Sequence, residues 1–313
     1  MLPSLPAPRF AALIRTTGAR SLSLQEALQS VALQSEPCLS IVIVHGGGEA
    51  YAGVRQECGQ SELIRLLHAP NTDGRRKRGY PLNAGIDYCL LEAGIEYLFF
   101  LDDDDIVYPF FTRCMAAAFA ASDADVVYAA ANCREEGKPL TAAWPAKPWQ
   151  HLFDRNFIPS NGYAIRAEAL RRTGVRLDES LEYLEDWHFL LRMLEHNFRF
   201  QQLSDTLLEF RTESAAALAN RYNLETWKGC ALRIRQYINA TSFPVPGAEL
   251  ARLASDSNAV DTPSDRFADS STATALHRRI WDLEHSLSWR CTAPLRALGP
   301  VMLRLRNRWK ARA

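Results

Sequence analysis

Four consecutive aspartates, Asp102 to Asp105, follow an apolar run in the stretch EYLFFLDDDDIVYP. In an extended segment alternate side chains share a face, so Asp102 and Asp104 project together. Two carboxylates at the end of a buried strand repel each other unless a cation or a proton intervenes. Mg2+ or Mn2+ is a hard cation that takes oxygen ligands, typically one or two carboxylates together with substrate phosphates, and it would neutralise a diphosphate leaving group. The competing reading is a solvated strand end in which Asp105 caps a helix opening near Pro109. A further acid, Asp186, lies in LEYLEDWHFLLRMLEHNF, whose periodicity predicts a helix over about 183–196. At the helical repeat Leu184, Trp187, Leu190, Leu191 and Leu194 form an apolar arc. Asp186 falls on its flank beside Leu190 and Met193, and Glu185 falls opposite with Arg192 and His196. An acid turned towards the apolar side near a helix start is a candidate functional carboxylate. An acidic first turn favoured by the helix dipole is the alternative.

The elements that must position these acids are legible as alternating strands and helices. RFAALIR (9–15), LSIVIV (39–44), IEYLFFL (95–101) and ADVVYAAA (124–131) read as buried strands. Between the first two, Leu24, Ala27, Leu28 and Val31 mark one face of a helix, with Ser23 and Glu26 spaced as a capping box. Continuous apolar strands separated by helices predict an α/β fold, a mostly parallel sheet covered on both faces. Ligands of such sheets bind beyond the carboxyl ends of the strands, which is where the aspartates lie.

The chain as a whole restricts the function classes. Its 313 residues can build a sizeable core, and 47% hydrophobic with 23% charged residues is ordinary for a folded protein. Seven cysteines are scattered without a CxxC pair, which suits reduced thiols better than disulfides or a zinc site. Neither a leader-like N-terminus nor an apolar run of the ~20 residues needed for a membrane span is evident. The zero net charge hides an asymmetry: beyond Glu284 there are seven basic residues and no acids, so the body is 29 basic against 36 acidic. The loop RRKRGY (75–80) reads as a phosphate-facing or solvated turn, and no aromatic RNA motif accompanies it, so no nucleic-acid partner is expected.

Five stretches in order resemble family 2 glycosyltransferases of the GT-A fold. They are RFAALIRTTGAR, RGYPLNAGIDYCL, YLFFLDDDDIVYP, LEDWHFLLRML and FQQLSDTLLEFR, spread over residues 9–211. The resemblance implies an inverting sugar transfer from a nucleotide-diphosphate sugar donor, assisted by Mn2+ or Mg2+. It makes Asp104 the main metal ligand, with Asp102 and Asp103 serving the metal and the ribose, and Asp186 the general base. Thr16, Thr17, Arg78 and Asn83 would line the nucleotide. Family members often carry a base-contacting aspartate after the second strand. Here that strand runs into VHGGGE, so His45 stands in that place or the role passes to Glu49.

The expected organisation is a catalytic domain over 1–212, a helical or loosely ordered connector over 213–275 and a basic helical tail over 276–313. In the tail Leu295, Leu298, Met302, Leu305 and Trp309 share a stripe flanked by arginines, which suits an anionic membrane surface. SWRCTAPLRAL also resembles tails of bacterial surface-polysaccharide glycosyltransferases, implying a glycan or lipid-linked glycan acceptor at the cytoplasmic face of the inner membrane. A helix packed on the body is the alternative, and Pro300 would kink it. Two other functions compete: a sugar-phosphate nucleotidylyltransferase, for which RTTGARSLS is a poor pyrophosphate loop, and an inactive binding protein of the same fold. Trp144 and Trp149 are candidates for stacking on a sugar, with packing as the default.

Overall fold

The computed structural model describes residues 9–59, 61–71, 77–135, 139–212, 223–245 and 247. The chain divides into two units, Met1–Pro244 and Val245–Ala313. The tail stripe and most of the expected connector lie outside the described residues.

The first unit is built on three strands whose sequences leave almost no polar side chain to solvate. β1 (Phe10–Thr16), β2 (Cys38–Val44) and β4 (Tyr97–Asp102) are buried along nearly their whole length. β1 pairs in parallel with β2 on one side and with β4 on the other, and β3 (Ile64–His68) extends the β2 side. Alternation then sorts the side chains onto two faces. Leu13, Ile41, Ile43, Leu98 and Phe100 enter one core with α3 (Gly79–Leu91), α5 (Ala167–Thr173) and α6 (Glu185–Glu195). Phe10, Ile14, Val42, Val44, Phe99 and Leu101 enter the other with α1 (Ser21–Ala32), α2 (Gly48–Cys58) and α4 (Phe111–Ala121). Gly85 is needed where α3 lies on the sheet, because a Cβ there would sit 2.5 Å from Ile43 and 2.6 Å from Leu13.

The sheet continues through β8 (Tyr163–Arg166), β6 (Val126–Glu135), β9 (Phe200–Thr212) and the two-residue β5 (Ile106–Val107), in the order β3-β2-β1-β4-β8-β6-β9-β5. β7 (Thr141–Trp144) pairs with β6 off this path. β8 runs antiparallel to both β4 and β6. The α/β class with a mostly parallel sheet is therefore what the structure has, and the antiparallel β8 is the part the apolar strand pattern did not announce. A short 3-10 turn (Trp149–Phe153) and the last described helix, α7 (Leu224–Ala240), complete this unit. Cys230 of α7 packs against Leu181 and Tyr183.

Three local expectations are corrected. The Ser23–Glu26 capping box does not form: α1 starts at Ser21, and Glu26 pairs with Arg211 instead. Asp105 does not cap α4. It is buried and accepts from Asn161 Nδ2 at 2.9 Å and from the Arg211 backbone N–H at 2.7 Å. Glu185, expected opposite the apolar arc with Arg192 and His196, is buried, with only 4% of it exposed. Trp144 and Trp149 pack edge-on against Phe210 and Phe153. The described cysteines are all free thiols.

Candidate active site

Strand order reverses at β1: β2 and β3 lie to one side and β4 to the other. A crevice opens at the carboxyl ends of two strands that diverge in this way, because their following connections leave over opposite faces. The ends that meet here carry Thr16 and Thr17, His45, and Asp102 to Asp105.

The register explains the electrostatics. Arg15 stands directly opposite Asp102 across the β1–β4 ladder, and its Nη2 donates to Asp102 Oδ1 at 3.0 Å. Arg78, at the start of α3, approaches Asp102 Oδ2 from the other side at 3.5 Å. Burial works to raise the Asp102 carboxyl, but Arg78 and Arg15 outweigh it and hold it at about 2. Asp103 is buried and accepts from Thr16 Oγ1 at 2.6 Å, while Gly18 N–H donates back to that hydroxyl at 3.0 Å. Gly18 makes this turn with a φ of +79°, which a side chain would strain. Arg20 Nη1 pairs with Asp104 and lies 3.4 Å from Asp103 Oδ1. Burial, then the charge of Asp102, pushes the Asp104 carboxyl up, and the same two causes push Asp105 well above the ordinary range.

One carboxylate oxygen each from Asp102, Asp104 and Asp105 lies within 4.8 Å of the others. Carboxylates this close, two of them raised by burial and then by their neighbours' charge, fit a hard divalent cation. Asp105 accepts from Asn161 and from the Arg211 backbone N–H, so part of its lone-pair capacity holds the turn, while Asp102 and Asp104 face arginines.

Across the crevice, α6 begins with a strained residue. Leu184, its N-cap, has a φ of 63°, a left-handed conformation costing a non-glycine residue on the order of 1–2 kcal/mol. The turn aims Glu185 at Arg78, with Nε and Oε1 3.8 Å apart, and leaves half-buried Asp186 to accept from Asn156 Nδ2 at 2.9 Å. Trp187 Nε1 donates to Leu152 O at 2.7 Å and fixes the helix on the 3-10 turn. Burial drives Glu185 up to about 7 despite Arg78, with the Asp186 charge adding to it. Burial also raises Asp186, held back by the Trp187 N–H, Arg78 and Asn156.

The structure therefore brings together Asp102, Asp103, Asp104, Thr16 and Arg78 at one strand end, with Asp186 on the helix beyond Arg78. Thr17 is exposed at the tip of β1 and His45 lies one strand further along the row. Asn83 corrects its expected nucleotide-lining place. Its amide is occupied by Leu177 O at 3.0 Å, Glu179 Oε1 at 2.9 Å and Leu177 N–H at 2.9 Å, so it buttresses the segment leading to α6. Sequence reasoning missed Arg15, Arg20, Glu185, Asn156 and Asn161. Arg15 carried a usable signal, a charge at the end of an otherwise apolar strand. The asparagines carried none.

A doubly wound sheet with an acidic turn at its switch point and a carboxylate pair facing it is the arrangement of the GT-A fold. The model of Glycosyl transferase family 2 matches residues 16–175, half of the chain, and the chain belongs to that family. Among solved structures it is similar to Staphylococcus aureus TarS 1–349 in complex with UDP-GlcNAc, at 16% identity and TM-score 0.57, covering 77% of this chain and 69% of that one. The match to TarS 1–349 alone has 16% identity and TM-score 0.51, covering 65% of this chain and 60% of that one. Against TarS, at 17% identity and TM-score 0.51, it covers 65% of this chain and 37% of that one. No curated protein matches the chain. Among the described residues no helix is long and apolar enough to cross a membrane.

Proposed function

We propose that the protein is an inverting, metal-dependent glycosyltransferase that moves a sugar from a nucleotide-diphosphate donor to a hydroxyl of a glycan or lipid-linked glycan. The observation that carries the reading is Arg78, which lies 3.5 Å from Asp102 of the acidic turn and 3.8 Å from Glu185 of the helical pair. It joins a set of carboxylates suited to a cation and diphosphate to a second set raised towards neutrality. The TarS complexes with UDP and UDP-GlcNAc support a nucleotide-sugar ligand for the crevice.

In this mechanism the diphosphate lies over the acidic turn and the acceptor enters beside α6. The acceptor oxygen bonds to the anomeric carbon as the bond from that carbon to the diphosphate oxygen breaks. The electron pair leaves with the diphosphate and the proton passes to Asp186, the general base. Asn156 fixes the Asp186 carboxylate, and Glu185 with Arg78 holds the wall between the two reacting sides. Mn2+ or Mg2+ held by Asp102 and Asp104, when bound, supplies neutralisation of charge on the leaving diphosphate. Base and leaving group on opposite faces of the sugar give inversion without a protein nucleophile.

Water should replace the acceptor slowly. With Mn2+, wild-type protein is expected to release nucleoside diphosphate from one of a panel of sugar donors, and NMR should show the freed sugar first in the anomeric configuration opposite to the donor's. Retained configuration, or no release from any donor, would contradict the proposal. The apolar residues flanked by arginines in the tail sequence support a peripheral place on an anionic membrane. The chain lacking 289–313 should then leave anionic vesicles in a sedimentation assay, and continued pelleting would refute that placement.

A further inference from the structure

A cavity of about 550 Å³ opens where α6 meets α7, within the about 300–1,000 Å³ usual for a small-molecule site. Its polar walls are Asp178 and Glu179 from the segment leading to α6, His188 and Arg192 from α6, and Arg233 and Tyr237 from α7. His188 and Arg192 are four residues apart and so share one face of the helix. None of the crevice carboxylates lines this cavity, so it is a place apart from the proposed transfer centre.

Two of its side chains are incompletely partnered. Arg192 Nη1 donates to Arg176 O at 2.9 Å, but the guanidinium makes no ion pair among the described residues, which leaves most of its fork of donors unused. His188 Nδ1 is buried without a hydrogen-bond partner among the described residues and stands 4.0 Å from Asp178 Oδ2. That separation is too long for a direct hydrogen bond. It suits one oxygen placed between them, accepting from Nδ1–H and donating to the carboxylate. Asp178 is held in place by Ser180, whose N–H donates at 2.9 Å and whose Oγ donates at 2.6 Å, and Arg233 Nη2 lies 3.4 Å from its other oxygen. Tyr237 fixes the imidazole from the side, with ring centroids 4.7 Å apart, and its hydroxyl donates to Glu195.

These groups ask for different parts of one ligand. An arginine without an ion pair suits an anion, which its planar fork binds through two parallel hydrogen bonds. Burial lowers the His188 ring, so it is neutral near pH 7, and with Asp178 it suits a hydroxyl, which both donates and accepts. Asp178 and Glu179 repel an anion, which places the anion at Arg192 and the hydroxyls at the carboxylates. We infer that this cavity is a second ligand site, one for a sugar carrying a carboxylate or a phosphate, with the anion on Arg192 and a hydroxyl between His188 and Asp178. A residue of an acidic glycan and a free sugar phosphate offer the same chemistry. The site goes beyond the proposed transfer, in which these residues have no part.

The test is a ligand-observed NMR titration of the full chain, in EDTA, with methyl β-glucuronide, glucose 6-phosphate and glucose. Wild type should bind at least one of the two anions at least about tenfold more tightly than glucose. Arg192→Gln should bring that ratio to within about threefold, whereas Asp104→Asn, which alters the acidic turn, should leave it as in wild type. Tighter binding of the methyl glycoside, which imitates a residue within a chain, assigns the site to a glycan; otherwise its ligand is a free sugar phosphate. No preference for either anion in wild type, an unchanged ratio in Arg192→Gln, or a ratio lost in Asp104→Asn overturns the site. If Arg192→Gln fails to fold, Arg233→Glu, on a side chain 53% exposed, takes its place. It should weaken the favoured anion at least about tenfold, and undiminished binding overturns the site. Each of these outcomes leaves the proposed transfer standing, since that reading is decided by nucleoside diphosphate release.

Discussion

The two carboxylate groups of the crevice differ in what surrounds them. Asp102 to Asp104 end a strand and meet Arg15, Arg20 and Arg78, which enter from β1, the β1–α1 turn and α3. Glu185 and Asp186 begin a helix beside Arg78, and the Asn156 amide donates to Asp186. Asp102 is accordingly held at about 2, whereas burial lifts Glu185 to about 7 and also raises Asp186. Carboxylates whose environments push them in opposite directions are suited to opposite tasks. Asp102 keeps its charge among the arginines, which suits the proposed cation and diphosphate, whereas burial raises Glu185 and Asp186, which suits the proposed proton acceptor. Within the acidic turn Asp104 too is raised, by burial and by the charge of Asp102.

The largest test of this contrast is Asp186→Asn. It removes the proton acceptor and leaves the acidic turn intact, so turnover should fall by about 10²- to 10⁴-fold while donor affinity is kept. Steady-state rates beside calorimetric donor binding separate the two. Activity near that of wild type would erase the distinction between the groups.

Glu185→Gln sharpens the comparison through stability. A carboxyl raised in the fold binds its proton more strongly there than in the unfolded chain, so its contribution to stability grows as pH falls from about 7 towards its unfolded value. The uncharged variant lacks that dependence. In metal-free protein its stability relative to wild type should rise by about 1–3 kcal/mol between pH 5 and pH 8, read as denaturant midpoints. A pH-independent difference would mean that Glu185 is not buried against its charge.

Asn156→Ala should have the smallest effect. The Asn156 hydrogen bond holds Asp186 down, so its loss raises that carboxyl further. The acid limb of the rate profile should move to higher pH, with a loss of about tenfold or less near neutrality. An unmoved limb would place the titrating base elsewhere.

Much of this was legible in the sequence because it is local. Apolar runs without a polar break gave β1, β2 and β4, and the acidic turn is contiguous. What stayed hidden depends on pairings far apart in the chain. Arg15 meets Asp102 because of strand register, and Asn161 meets Asp105 because β8 returns antiparallel beside β4. The helical wheel placed Glu185 opposite the apolar arc, with Arg192 and His196, yet it is buried. α6 has the core on one side and the crevice of strand ends on the other. Asn83 was read as facing a ligand because its neighbours in sequence resemble a ligand segment, yet its amide closes on Leu177 and Glu179.

The most direct test of the central claim is nucleotide binding by wild type and Asp104→Asn, followed by thermal unfolding with and without Mn2+. The account predicts that the favoured nucleoside diphosphate stabilises wild type only when Mn2+ is present, and that Asp104→Asn abolishes this shift while retaining its own fold. The same nucleotide shift in both proteins, or one indifferent to Mn2+, would contradict the assignment of the acidic turn to a cation and a diphosphate.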